Sequence, residues 1–299
     1  MEAEPQIFGR DDRRLVWGDT LDVLPTAVAD GTVDLIFADP PYNIGKTFGN
    51  STESWPNDEA YVEWCRTWLE ICFKKLAPHG TLYLMSSTQA IPFLDIYVRR
   101  HLTILSRIIW YYDSSGKQAR NYYGSRYEPI LHCVQDPKNY VFNAKDILVE
   151  AKTGSKRKLI DYRGDTPKPY NTEKVPGNVW QMPRVRYRMS EYEEHPTQKP
   201  EALLRRIILA SSNPGDLVLD PFSGSFTTGA VALRLQRRFI GIEQEREYCK
   251  IGLRRLGIAD HFEGERLSPP EKSFRHKSRQ GDKGEAEEVT VSRGQQELF

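Results

Sequence analysis

The chain has 299 residues with 42 Lys and Arg against 41 Asp and Glu, the length of one large α/β domain or two small ones with no overall charge bias. That composition excludes a collagen-like, coiled-coil or disulfide-stapled chain, and apolar runs such as Val33 to Ala38 fall far short of the roughly 20 residues needed to cross a bilayer. Met1-Glu2-Ala3-Glu4-Pro5 has neither a basic nor an apolar targeting stretch, so a cytoplasmic protein without a membrane partner is expected.

Leu15-Val16-Trp17, followed by Gly18-Asp19, reads as a short buried strand ending in a turn. Val33 to Ala38 is a second strand, stopped by Asp39-Pro40-Pro41 because proline removes a backbone donor and fixes φ. Between Asp58 and Leu76, the residues Tyr61, Val62, Cys65, Trp68, Leu69, Cys72 and Phe73 recur at three- and four-residue steps, which predicts an amphipathic helix. Pro78-His79-Gly80 closes that helix, and Thr81 to Met85 is the next strand. The β-α-β alternation predicts a parallel sheet with helices on both faces. Ile104 to Tyr112 and Tyr127 to Val134 add two strands.

From Lys117 to Met189, apart from the last of those strands, Gly, Pro and Lys punctuation replaces periodicity, as in a long irregular insertion. Regular patterning resumes with a helix over Pro200 to Ala210, a strand at Leu217 to Leu219 and a helix over Thr227 to Leu235. A strand at Arg238 to Ile242 and a helix over Glu245 to Leu256 follow. Beyond Ala259 there is too little apolar surface to offset ordering entropy. The expected organisation is a catalytic-size domain over 1–258 that contains an insertion at 117–190, with a disordered tail over 259–299. Cys65, Cys72, Cys133 and Cys249 lack CxxC spacing, which suits buried free thiols and predicts no metal site.

Charge is segregated: from Lys117 to Arg188 there are fifteen Lys and Arg against seven Asp and Glu, a local balance of +8. Tyr122, Tyr123, Tyr127, Tyr140, Tyr162, Tyr170 and Tyr187 interleave with these cations, a mixture suited to neutralising phosphates and stacking on bases.

Two motifs carry chemistry. Asp220-Pro221-Phe222-Ser223-Gly224-Ser225 ends a strand and precedes a helix, and Glu243 ends the next strand 23 residues on. Small residues let backbone amides approach a ligand at the carboxyl edge, and an acid at that spacing suits a pair of ribose hydroxyls. The loop lacks GxGxxG, so a nucleoside without a pyrophosphate fits better than a dinucleotide. The second motif is Asp39-Pro40-Pro41-Tyr42. A carboxylate and a carbonyl fixed by proline can accept both N–H bonds of one exocyclic amine while Tyr42 stacks on its ring. Paired acceptors help an aryl amine, whose lone pair is delocalised, to become tetrahedral as it attacks. A methyl sulfonium is the matching electrophile.

With these motifs the sequence resembles the β-class DNA amino-methyltransferases, adenine-N6-specific branch, over residues 13–256. There a DPPY motif comes first, a target-recognition region follows, and the S-adenosylmethionine motifs come last, with an element like His195-Pro196-Thr197-Gln198-Lys199-Pro200 before the glycine loop. The resemblance implies a doubly wound, Rossmann-like α/β sheet of the class I methyltransferase type with permuted motif order. It implies that Asp220, Phe222, Ser223 and Gly224 line the S-adenosyl-L-methionine site with Glu243 on the ribose. His195, Thr197 and Lys199 would hold the amino-acid end, Asp19 would lie near the cofactor adenine, and Ala38, Asp39 and Pro40 would flank the methyl. Phe226, where relatives carry a small residue, should alter helix packing more than chemistry.

Adenine N6 inside a duplex cannot reach a donor at a sheet edge, so double-stranded DNA would be the partner and the base would be rotated out. Lys156, Arg157, Lys158, Arg163 and Lys168 are the expected phosphate contacts, and Arg184, Arg186 and Arg188 would share one face if extended. A homodimer is compatible with the class. Gln295, Leu298 and Phe299, in Gln295-Gln296-Glu297-Leu298-Phe299, resemble peptides that dock on a sliding clamp. The rival readings are N4-cytosine methylation and a DNA-binding regulator that retains a nucleoside pocket. C5-cytosine chemistry is disfavoured because none of the four cysteines follows a proline at a strand end.

Overall fold

In chain order the main elements are β1 (Gln6–Arg10), β2 (Arg13–Trp17), α1 (Thr20–Ala27), β3 (Val33–Ala38), α2 (Asp58–Lys75), β4 (Leu76–Met85) and α3 (Ile91–Val98). They continue with β5 (Thr103–Tyr111), β6 (Tyr127–Val134), β7 (Val179–Gln181), α4 (Glu201–Ser211), β8 (Leu217–Asp220), α5 (Thr227–Arg234), β9 (Arg238–Glu243) and α6 (Arg246–Arg255). The computed structural model describes residues 6–45, 47–48, 51–52, 54–112, 120–152 and 159–270. Its main sheet has nine strands in the order β1-β2-β9-β8-β3-β4-β6-β5-β7.

The centre of this sheet follows from side-chain alternation. Leu35 and Phe37 of β3 enter one apolar cluster, while Ile36 and Ala38 enter the other. A strand apolar on both faces needs cover on both. Helices α1, α2 and α3 supply Leu24, Trp68 and Leu94 to the cluster holding Ile36, and α4, α5 and α6 supply Ile207, Val231 and Leu253 to the other. Helix α2 starts where Asn57 accepts a bond from the Ala60 amide at 2.8 Å, and it buries the stripe Tyr61, Val62, Cys65, Trp68, Leu69 and Cys72. Removing a ring as deeply buried as that of Trp68 typically costs roughly 3–5 kcal/mol.

The sheet departs from the expected parallel arrangement. Strands β2, β9, β8, β3 and β4 are mutually parallel, but β6 runs antiparallel to both β4 and β5, and β1 runs antiparallel to β2. Consecutive in the chain and antiparallel, β5 and β6 pair as a hairpin. Strand β4 begins at Leu76, directly after α2, and Pro78-His79-Gly80 lie inside it. Its pairing with β3 jumps from Val33↔Leu76 to Leu35↔Thr81, which bulges those residues out of register. Sequence periodicity also missed α1 and α3. Each has only eight residues, and Pro25 interrupts the first.

The inserted segment is less irregular than expected. Val179–Gln181 joins the main sheet parallel to β5, and two ladders of two residues each pair Val149–Glu150 with Glu173–Lys174 and Ile160–Asp161 with Lys168–Pro169. Order also extends past the expected boundary at 259. His261–Phe262 and Glu265–Arg266 form a small hairpin, and Phe262 packs edge-on against Phe8 and Trp17 at 5.7 and 5.9 Å. Residues 271–299 lie outside the described residues. All four cysteines are free and buried, and no described helix is long and apolar enough to cross a membrane.

Candidate active site

Four neighbouring parallel strands end at one rim of the sheet, each in or beside an acid: Asp19 after β2, Glu243 on β9, Asp220 on β8 and Asp39 after β3. From β3 the chain moves outward to β4, and it returns on the other side through β8. The loops after β3 and β8 therefore diverge and leave a crevice between them, as at the switch point of any doubly wound sheet. Both loops line one pocket with Asp19, His195, Thr197, Lys199 and Glu243.

Helix α2 braces both loops. The Tyr61 hydroxyl donates to the Pro41 carbonyl at 2.6 Å, while Trp64 and Trp68 hold the Phe222 ring at 5.8 and 4.9 Å. From α1, the Thr20 hydroxyl donates to the Pro221 carbonyl. Asp19 caps α1 by accepting from the Leu21 amide at 2.8 Å, so this acid both lines the pocket and starts a helix.

On the β8 side the loop is tightly wound. Ser223 donates from its amide to Ile242 O and from its hydroxyl to Asp220 O, both at 2.9 Å. Gly224 has φ +48, and a Cβ there would sit 2.8 Å from His195 Nε2, so two independent constraints demand glycine. The Gly224 and Glu245 amides donate to the two oxygens of Glu243 at 2.8 Å each. Asp220 accepts from the Thr228 hydroxyl at 2.5 Å and the Phe222 amide at 3.0 Å. Burial pushes both carboxyls up to about 7 despite these bonds. His195 meets Tyr248 edge-on at 4.4 Å and accepts at Nδ1 from the Thr197 amide at 3.3 Å, which assigns the proton of a neutral ring to Nε2, beside Gly224. Phe226 starts α5 with φ +57. Its ring occupies space that a Cβ on Gly241 or Gly252 would enter.

On the β3 side lies a cluster that the sequence did not foreshadow. Lys199 Nζ is 2.6 Å from Asp39 Oδ2 and 3.4 Å from Glu128 Oε2, and it donates to Thr197 O at 3.3 Å. The Tyr42 hydroxyl is 2.5 Å from Asp39 Oδ1 and 3.0 Å from Glu128 Oε2, and the Tyr42 ring faces the Lys199 ammonium at 5.4 Å. Burial raises Asp39, with Lys199 opposing and Glu128 adding to the rise. Burial pulls Lys199 down, but the two carboxylates outweigh it and leave the ammonium above its usual range. The Tyr42 phenol is held well above its ordinary range by burial and the adjacent acids.

Two expectations change here, and one residue of the cluster was missed. Lys199, assigned to the amino-acid end of a cofactor, lies against Asp39. Ala38 does not line the pocket, because strand alternation sends its side chain into the core. Glu128 was not anticipated. It is the second residue of β6, and only the antiparallel register Trp110↔Glu128 brings it to this rim; a lone Glu before Pro129 carries no signal in sequence.

The expected DNA contacts scatter. Lys156, Arg157 and Lys158 lie outside the described residues. Arg163 is exposed but bound to both oxygens of Asp161 at 2.9 Å each, and Lys168 is exposed on the partner strand of that ladder. Arg184 is half-buried with its guanidinium over the Tyr112 ring at 5.1 Å. Arg186 is exposed, but Arg188 sits in a turn with φ +78, so the three arginines do not share an extended face.

A family profile described as DNA methylase matches residues 33–254. The chain is 58% identical over 270 residues to the DNA adenine methyltransferase YhdJ of Escherichia coli strain K12, covering 90% of this chain and 91% of that one. It is 37% identical over 247 residues to the type II methyltransferase M.HpaI of Haemophilus parainfluenzae, covering 82% and 74%. Among solved structures, the M1.HpyAVI–SAM complex aligns with a TM-score of 0.55 at 25% identity, covering 82% of this chain and all of that one. The cytosine-N4-specific PvuII DNA methyltransferase aligns with a TM-score of 0.61 at 19% identity, covering 83% and 89%, a likeness of fold.

Proposed function

The chain belongs to the DNA methylase family, and from that premise we propose how its residues divide the work of an S-adenosylmethionine-dependent DNA adenine methyltransferase. The substrate is an exocyclic amine on DNA, specifically adenine N6, and the base reaches the crevice by leaving the duplex stack. A cytoplasmic location is part of this reading, since it would give the enzyme access to DNA.

The β8 side fits the cofactor. Gly224 lets the loop close against His195 beside the pocket, the Glu243 carboxylate suits two ribose hydroxyls, and four acids rim a site for a cationic ligand. Asp220, Phe222, Ser223 and Gly224 would form its floor. Asp19 would meet the cofactor adenine, and His195 and Thr197 the amino-acid end. When bound, S-adenosylmethionine supplies a methyl group on a sulfonium sulfur, which leaves as a neutral thioether.

The chain's own residues do the remainder from the β3 side. The Asp39 carboxylate and the Pro40 carbonyl accept the two N–H bonds of the target amine, which localises its lone pair for attack and faces the positive charge that grows on nitrogen. Pro41, fastened by Tyr61, keeps the Pro40 carbonyl aimed, and Tyr42 orients Asp39 through its hydroxyl. The exposed Lys168 and Arg186, with Arg163, Arg184, Arg188 and the Lys156 to Lys158 run, supply the grip on DNA.

The observation that carries this reading is the parallel pairing of β8 with β3, Val218↔Leu35 and Leu219↔Ile36, which puts the loops after both strands on one rim. Purified protein, tritiated cofactor and duplexes that contain adenine should yield labelled N6-methyladenine after digestion. Labelled N4-methylcytosine would move the target to cytosine, and cofactor binding without transfer would leave a regulator. Two further partners are proposed. One is a second copy of the chain, checked by sedimentation. The other is a sliding clamp reached through Gln295, Leu298 and Phe299, which lie outside the described residues, and checked by binding of a 290–299 peptide with and without Phe299.

A further inference from the structure

Asp39 can accept the target amine only as its present partners yield, and both of its oxygens are engaged at short range: Oδ1 by the Tyr42 hydroxyl at 2.5 Å and Oδ2 by Lys199 at 2.6 Å. Glu128 touches the same two donors. Its Oε2 lies 3.0 Å from the Tyr42 hydroxyl and 3.4 Å from Lys199 Nζ. Tyr42 has one hydrogen to give and Lys199 has three, directed to Asp39, Glu128 and the Thr197 carbonyl. Lys199 is nearly inaccessible to water, at 8% side-chain exposure, so it cannot leave Asp39 for solvent. A buried ammonium stripped of its counter-ion is strongly disfavoured, and among the described residues the other carboxylate contacting it is Glu128.

We propose that Glu128 is a positioning residue for methyl transfer: it is the second seat onto which Lys199 and Tyr42 settle when the target amine takes their places on Asp39. This deepens the functional reading above and rests on it. The exchange breaks no covalent bond. It keeps Lys199 paired throughout and leaves the Asp39 carboxylate to the incoming amine. The Tyr112 hydroxyl donates to Glu128 Oε1 at 3.4 Å, and Arg184 lies over the Tyr112 ring, so β5 and the end of the insertion set the angle of this carboxylate. Glu128 thereby links the segment expected to grip DNA with the acid that receives the base.

Glu128→Gln keeps the shape and removes the charge. With the unsubstituted enzyme active, the variant should lose roughly ten- to a hundredfold in kcat, the scale of misplacing a reacting group, while the cofactor Kd by calorimetry and KM for DNA stay within about twofold. Glu128→Asp should recover part of that loss. Addition of Lys199→Met to Glu128→Gln should cost no further kcat, or restore some, because the ammonium that locks Asp39 is gone. The groups facing Glu128 are Tyr42, Lys199, Tyr112 and, through them, Asp39 and Arg184. Removing the Glu128 charge takes away a like-charged neighbour of Asp39, so the acidic limb of the kcat profile should move to lower pH.

An unchanged kcat in Glu128→Gln overturns the proposal, as do fully additive losses in the double variant or a fall in cofactor affinity that accounts for the whole effect. Absence of transfer by the unsubstituted chain overturns the functional reading itself and this inference with it.

Discussion

The crevice and the insertion are built on opposite principles. Around the crevice the fastening contacts join residues far apart in the chain: Tyr61 to Pro41, Thr20 to Pro221, Gly224 to Glu243 and Lys199 to Asp39. Among the described residues of the insertion many contacts are slighter, with Arg163 on Asp161, Met189 closing a turn on Arg186, and ladders of only two residues. Its firm attachments are few: Asn143 donates to Leu209 O and Ser212 O at 3.1 and 2.9 Å, and near its end Trp180 is buried beside β5 and the Trp110 indole donates to Met182 O at 3.0 Å. Chemistry that depends on sub-ångström placement sits where long-range packing fixes the backbone, whereas contact with a long, uniform polyanion tolerates exposed side chains on loosely held loops.

Substitutions in the two regions should therefore differ in kind as well as in size. The largest effect is expected from Asp39→Ala, which removes the acceptor for the reacting amine. Methyl transfer should fall by roughly a thousandfold or more while calorimetry still finds the cofactor bound. Loss of cofactor binding in that variant would merge two functions that the pocket keeps apart.

Glu243→Gln comes next. Replacing a charged acceptor with an amide should weaken the cofactor by roughly ten- to a hundredfold and leave the methylated DNA sequence unchanged. A changed site preference would contradict the assignment.

A third effect is a pH dependence confined to the crevice. Burial lifts Asp220 and Glu243 to about 7, whereas in the unfolded chain such carboxyls titrate near 4. The native state therefore holds protons that the unfolded state has released. The resulting stability is complete below about pH 4 and is lost as pH rises through 7. Melting curves from pH 5 to 8 should show the drop, and Asp220→Asn should flatten it; an equally steep curve in that variant would place its origin elsewhere. Replacing exposed charges in the insertion should leave the curve as it is.

The smallest effect belongs to the insertion. Lys168→Ala or Arg186→Ala should reduce the slope of log affinity against log salt by about one and leave kcat at saturating DNA unaltered. A loss of kcat comparable to that of Asp39→Ala would erase the contrast between the regions.

The two motif loops were legible because their signals are local. Proline after Asp39 fixes backbone wherever it occurs, and glycine at 224 answers a positive φ and a crowded His195. Strand β3 was read to the residue because burial on both faces leaves an unbroken apolar run. Helices α1 and α3 escaped because Pro25 interrupts the first, while the second, Ile91–Val98, is apolar on nearly every side and shows no one-sided stripe. The arginines at 184, 186 and 188 were read as one face because spacing by two implies a strand, but the turn at Arg188 depends on contacts that spacing does not encode.

The motifs and their order, through the family they resemble, pointed to the class of chemistry and the cofactor, and the burial pattern along the chain gave the α/β architecture. The distant members of the Asp39 cluster were decided by tertiary structure. Glu128 and Lys199 lie 89 and 160 positions further along the chain, and only the hairpin register of β5 with β6 and the placement of the segment before α4 bring them within hydrogen-bonding range. A charge network of that kind has no period and no fixed spacing, because it exists only where separately folded elements meet.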